Sequence, residues 1–86
     1  MRHAREDYNR IQDPAGLIPE DEPVFLIRGK DVCAPATLEA WCKEAKKYNV
    51  DPGMIKIVSD WADRMKVWQI EHESKIPDMP ETLLPS

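Results

Sequence analysis

Between two apolar stripes of helical spacing lies the short break Asn49-Val50-Asp51-Pro52, and no other feature of the chain limits the fold as tightly. Ahead of it, Leu38, Trp41, Cys42 and Ala45 recur at i, i+3, i+4 and i+7, which predicts a helix over 35–48 with Pro35 in its first turn. Beyond it, Met54, Val58, Trp61, Met65 and Trp68 form one stripe, widened by Ile55, Ile57 and Ala62, on a helix predicted from 52 to about 72. Asn49 suits the left-handed residue that ends a helix. Asp51 suits the N-cap of the next, with Pro52 at its first position and Val50 and Ile55 at the two places of a hydrophobic staple. A loop of about three residues leaves the helices no choice but to run antiparallel as neighbours. The stripes assign Trp41, Trp61 and Trp68 to the core, Trp68 being the most exposed of the three. On the outer side, Asp60 with Arg64 and Asp63 with Lys66 read as surface pairs.

The first third is punctuated by turns. Residues 1–12 form a charged N-terminal arm, followed by the turn signal Asp13-Pro14-Ala15-Gly16 and the acidic, proline-bounded stretch Glu20-Asp21-Glu22-Pro23. Val24-Phe25-Leu26-Ile27-Arg28 is the most apolar short run, and its β-branched and aromatic content predicts a buried strand ended by Gly29. A single helical turn from Pro23 is the competing reading. A lone strand needs a partner, and pairing with the same strand of a second copy across a two-fold axis would supply one. After His72 the prolines at 77, 80 and 85 predict an extended tail, 73–86, whose Leu83-Leu84 could dock on the hairpin. The expected architecture is therefore mostly α. It is an antiparallel αα-hairpin within residues 13–72, preceded by one short strand or extended segment and completed by homodimerisation.

At 86 residues the chain has room for one thin core, which strengthens the expectation of self-association. Twelve basic against sixteen acidic residues, a net charge of −4, argue against duplex nucleic acid, whose binding depends on neutralising phosphates. They leave room for a small anion, which needs only two or three local cations. No apolar run is long enough to span a membrane, and Met1-Arg2-His3-Ala4-Arg5 does not open a secretory signal. Cys33 and Cys42 are accordingly expected as free thiols in a reducing cytoplasm.

No nucleophile–base constellation stands out, His3, His72, Cys33 and Cys42 lack zinc-site spacing, and the three glycines form no phosphate loop. The chain reads as non-enzymatic, with no cofactor and no metal. Its most suggestive segment is Glu22 to Asp31. Arg28, Lys30 and Asp31 follow the buried run at the mouth of whatever the strand and hairpin enclose. Arg28 carries a planar five-donor fork suited to phosphate or carboxylate, and Asp31 carries acceptors for a base edge or hydroxyl. In the competing account, Arg28 pairs with Glu22 or Asp31 and only pins the segment down. Lys43, Lys46 and Lys47 form a basic cluster blunted by Glu39 and Glu44, which reads as a solvated face.

The stretch from Tyr8 to Asp31, Y-x-x-I-Q-D-P-x-G-x-I-P-x-D-E-P-V-F-L-I-R-x-x-D, resembles a family of small proteins encoded by bacteriophages and prophages. The likeness extends through Ala34-Pro35 and Ala62-Asp63-Arg64-Met65 and covers most of the chain except the tail. It implies an accessory phage gene expressed in the cytoplasm of the bacterial host, a setting in which small non-catalytic proteins capture the nucleotide signals of host immunity. The expected function is then a homodimeric counter-defence sponge for a small anionic nucleotide of the cyclic dinucleotide type. Arg28 and Lys30 would hold phosphates, Asp31 would read a base or ribose, and Tyr8 or Phe25 would stack. The alternative is a protein-binding inhibitor or adaptor that docks the apolar helix face around Trp61 and Trp68 on a host or phage protein.

Overall fold

The computed structural model describes residues 2–3 and 13–77, and the chain divides into two units, Met1–Ile27 and Arg28–Asp78. In the first, strand β1 (Arg2–His3) pairs in parallel with β2 (Pro23–Val24), Arg2 opposite Pro23 and His3 opposite Val24. The Asp13 turn forms as its residues dictate. Gly16 has a φ of 64° and donates its N–H to the Asp13 carbonyl, and the Asp13 carboxylate accepts the N–H groups of Leu17 and Ile18 at 3.2 and 2.9 Å.

The strand expected over 24–28 is corrected. Only Pro23–Val24 is strand, residues 25–28 are irregular with no helical turn, and Phe25 is exposed. The partner of β2 is Arg2–His3 of the same chain, so an unpaired strand no longer argues for a second copy. Pro23, which has no N–H to give a ladder, stands at the first position of the strand, where proline is tolerated.

The second unit is the hairpin. Helix α1 (Ala34–Lys47) ends through Tyr48 and Asn49, whose φ of 55° is the expected left-handed value. The N–H groups of Tyr48 and Val50 return to the Ala45 carbonyl and that of Asn49 to Lys46. Lys46 and Lys47 in the last turn complement the negative end of the helix dipole. Helix α2 (Pro52–Glu71) opens with the Asp51 carboxylate accepting the Gly53 N–H at 2.7 Å, as the sequence predicts, and closes at His72. Neither helix is long and apolar enough to cross a membrane.

The helices meet along a heptad seam. On α1 the covered positions are Ala34, Pro35, Leu38, Cys42 and Ala45; on α2 they are Ile55, Val58, Ala62, Met65 and Gln69. Helical geometry and the tight loop place Ala45 level with Ile55, Cys42 with Val58, Leu38 with Ala62 and Pro35 with Met65. Small residues thus face larger ones throughout, and Cys42 donates its thiol to the Ile55 carbonyl at 3.7 Å. Both cysteines are free thiols.

This seam corrects the assignment of the tryptophans. The expected stripe 54, 58, 61, 65, 68 gives way to 55, 58, 62, 65, 69, a rotation of about 60° around the helix. Trp41, Trp61 and Trp68 remain 41, 48 and 37 % exposed. Among the described residues Ala34, Ala45 and Ala62 are the buried apolar core, and side chains this small favour a close approach of the helices over the entry of an indole. Two expected surface pairs also change. Asp60 binds Lys56 at 2.8 Å while Arg64 lies over the Trp61 ring, and Lys66 crosses the hairpin to Glu39 instead of joining Asp63. Lys47 pairs with Glu44, a solvated contact as expected for that cluster.

Candidate functional site

Residues 28–32 form a turn against Met65 and Gln69 of α2, with the Asp31 N–H donated to the Arg28 carbonyl at 3.0 Å. Two neighbours hold this turn. From α2, the Gln69 amide donates to the carbonyls of Gly29 and Asp31, both at 2.8 Å. From the C-terminal side, the Lys75 N–H donates to the Lys30 carbonyl at 2.8 Å. The Lys75 carbonyl accepts the Val32 N–H at 3.1 Å, which forms a one-residue parallel bridge. The backbone runs so close to α2 that a Cβ on Gly29 would touch the Met65 side chain.

Between this turn and α2 lies a pocket of about 320 Å³. One wall is Arg28, Gly29 and Lys30; the other is Trp61, Arg64, Met65 and Trp68. On a helix, 61, 64 and 68 share one face, so the two indoles flank the guanidinium. The Arg64 guanidinium carbon lies 4.2 Å from the Trp61 ring centre, a cation–π contact that presets both groups. Trp68 is braced from the other side: His72 stacks on it with centroids 4.2 Å apart and planes 11° from parallel. The His72 Nδ1 lies 2.9 Å from the Trp68 carbonyl, which can only accept, so that nitrogen carries the proton.

Three cationic side chains therefore line one small pocket in a chain whose net charge is −4. Among the described residues no carboxylate forms an ion pair with Arg28, Lys30 or Arg64. None of the lining residues carries a carboxylate, hydroxyl, thiol or imidazole. The wall can therefore attract an anion and stack an aromatic or apolar body. The positive character is local. A shallower depression lined by Asp63, Val67 and Glu71 shares Arg64 and Trp68 with this pocket, and there two carboxylates offset the cation.

Of the residues expected to form the site, Arg28 and Lys30 are brought together here. Asp31 is turned to local structure: its carboxylate accepts the Cys33 N–H at 2.7 Å, just ahead of α1, and it does not line the pocket. Phe25 belongs to the other unit. Tyr8 lies outside the described residues, as does Leu83-Leu84. Sequence reading names Trp61 and Trp68 only as the protein-docking face of the alternative, and it misses Arg64. The signal available was W-x-x-R-x-x-x-W, which aligns a cation between two indoles on any helix. It was hidden because tryptophans at helical spacing read first as core. Gln69 was missed as well, since a glutamine on an otherwise apolar seam has no local signature. No protein-family model, no curated protein and no solved structure matches this chain.

Proposed function

We propose that this chain is a non-enzymatic binding protein whose Arg28–Lys30–Arg64 pocket takes a small anionic aromatic ligand of the nucleotide type. The observation that carries the proposal is the gathering of three cations, none of them in an ion pair among the described residues, in one pocket with two braced indoles. Arg28 and Arg64 supply planar forks that match phosphate oxygens, Lys30 adds a point charge, and Trp61 and Trp68 supply stacking faces. A pocket near the lower end of the ordinary range for ligand sites accommodates one half of a cyclic dinucleotide. Two copies of the chain would then serve a two-fold-symmetric ligand. With Asp31 engaged elsewhere, recognition would rest on charge and stacking rather than on a base edge. In the setting implied by the likeness to phage proteins, capture of this kind would act as counter-defence, by sequestering a host immune signal.

The test is a thermal-shift panel of cyclic di- and trinucleotides. A ligand present at 100 times its Kd adds about 2.7 kcal/mol to the folded state, an easily measured rise in Tm. Arg28→Ala and Arg64→Ala should each abolish that rise while the far-UV circular dichroism stays helical. The reading fails if no nucleotide shifts the melt, or if both variants keep the full response. The exposure of Trp61 and Trp68 favours one further reading, an adaptor that docks a host or phage protein on this face. A panel without any response, together with a defined protein partner whose binding is lost in Trp68→Ala, would select it.

A further inference from the structure

The two flanks of the hairpin seam differ in character. On one flank Glu39 and Lys66 face each other as an ion pair. In antiparallel helices like flanks meet, so the opposite flank is shared by Trp41 and Tyr48 of α1 with Met54 and Trp61 of α2, and Ile57 lies just outside them. The register sets Tyr48 level with Met54 and Trp41 level with Trp61. All five are exposed large apolar side chains, Tyr48 at 79 % and Ile57 at 54 %. We propose that this flank docks against the same flank of a second copy of the chain, so that two hairpins form a four-helix bundle.

Area and core both point to that occupant. The exposed parts of these five side chains amount to about 550 Å², taking roughly 200 Å² for a large apolar side chain. That is most of the ~800 Å² that each partner contributes to an interface of standard size, and it lies at the upper end of what a monomer leaves uncovered. The hairpin itself buries no large side chain completely. A core of alanines between two helices is thin for an isolated unit, and four helices are the usual remedy. The missing apolar cover must be present whenever the chain folds, and a second copy always is. None of the five residues is itself charged, and among the described residues the one cation seen against them is the Arg64 guanidinium over the Trp61 ring. The assignment rests on and deepens the homodimer in the proposed function; of the five residues Trp61 also lines the pocket, and Trp41, Tyr48, Met54 and Ile57 do not.

Sedimentation equilibrium of the full chain over a wide concentration range tests it, paired with Tm against concentration. The wild type should have twice the chain mass, and its Tm should rise with protein concentration. Tyr48→Glu combined with Ile57→Glu should raise the dissociation midpoint at least a hundredfold. Ile70→Glu places the same charge at a site 84 % exposed on the opposite flank and should leave assembly unchanged. If the double variant fails to fold, the concentration dependence of the wild-type Tm decides, supported by retention of the dimer in Tyr48→Phe. A wild type that is monomeric at all concentrations with a constant Tm overturns the proposal, as does an Ile70→Glu protein that dissociates like the double variant. Neither substitution touches Arg28, Lys30 or Arg64, so failure of the dimer and failure of the nucleotide panel are read separately.

Discussion

Replacing Gln69 by Leu removes the side chain whose amide hydrogen-bonds the cation-bearing turn to α2. Two hydrogen bonds of 2.8 Å disappear, from the amide to the Gly29 and Asp31 carbonyls. Each such bond contributes a net ~0.5–1.5 kcal/mol. The two carbonyls fare differently afterwards. That of Asp31 keeps the Ala34 N–H at 3.0 Å, whereas that of Gly29 must turn to water. Because the contacts are only partly buried, water can reach them, and a loss of about 1–2 kcal/mol is expected rather than the upper limit. Urea unfolding followed by circular dichroism should register this as a lower midpoint with an unchanged slope. Gln69→Glu sharpens the test. At neutral pH a carboxylate facing two carbonyl oxygens has no proton to give, so this variant should be less stable than Gln69→Leu. The gap should narrow as the pH falls and the carboxyl becomes a donor. In both variants the anion response of the pocket should weaken while the helices persist, because the turn that carries Arg28 and Lys30 loses its two hydrogen bonds to α2. A Gln69→Glu protein as stable as wild type at pH 7 would refute the donor role assigned to Gln69, and with it the account of how the pocket is built.

Four further outcomes are expected. Asp51→Ala removes the acceptor of the Gly53 N–H and should cost about 0.5–2 kcal/mol in urea unfolding. Asn49→Ala should cost about 1 kcal/mol, since alanine tolerates a φ of 55° poorly, while Asn49→Gly should be near neutral by the same measurement. Ala62→Leu forces a larger side chain into the seam opposite Leu38 and should destabilise by roughly 1–3 kcal/mol, with a visible loss of thermal cooperativity. The hydrogen bond and charge of Glu39 hold the Lys66 ammonium above the ordinary lysine value of 10.5. Its small, solvent-screened support for the fold is therefore complete below pH 10.5 and lost as the pH rises through the elevated value. In an NMR titration Glu39→Gln should bring Lys66 back toward the ordinary value.

Local signals with a mechanical cause were readable in advance. Asn49 stops α1 because its short amide tolerates the left-handed region. Asp51 and Pro52 start α2 because one accepts an orphan N–H and the other has no N–H to orphan. Asp13 and Gly16 close their turn for similar reasons. The strand was less legible. An apolar run of five residues carries no information about its neighbours, and the partner, Arg2–His3, is charged and has no strand character of its own. Half of the cationic pocket was visible as Arg28 and Lys30. The other half lies more than thirty residues away on α2, and no local pattern links the two.

By itself, then, the order of residues determined two antiparallel helices, their ends and the turn between them, since each depends on contacts within a few positions. Which face of α2 turns inward was left to tertiary packing. Apolar residues occupy both 54/61/68 and 55/62, so periodicity permits either row. The contest is settled by volume: Ala62 opposite Leu38 admits a close approach that a tryptophan at the same level would prevent. That choice puts Trp61 and Trp68 outside, and it thereby creates both the wall of the pocket and the apolar flank beside it.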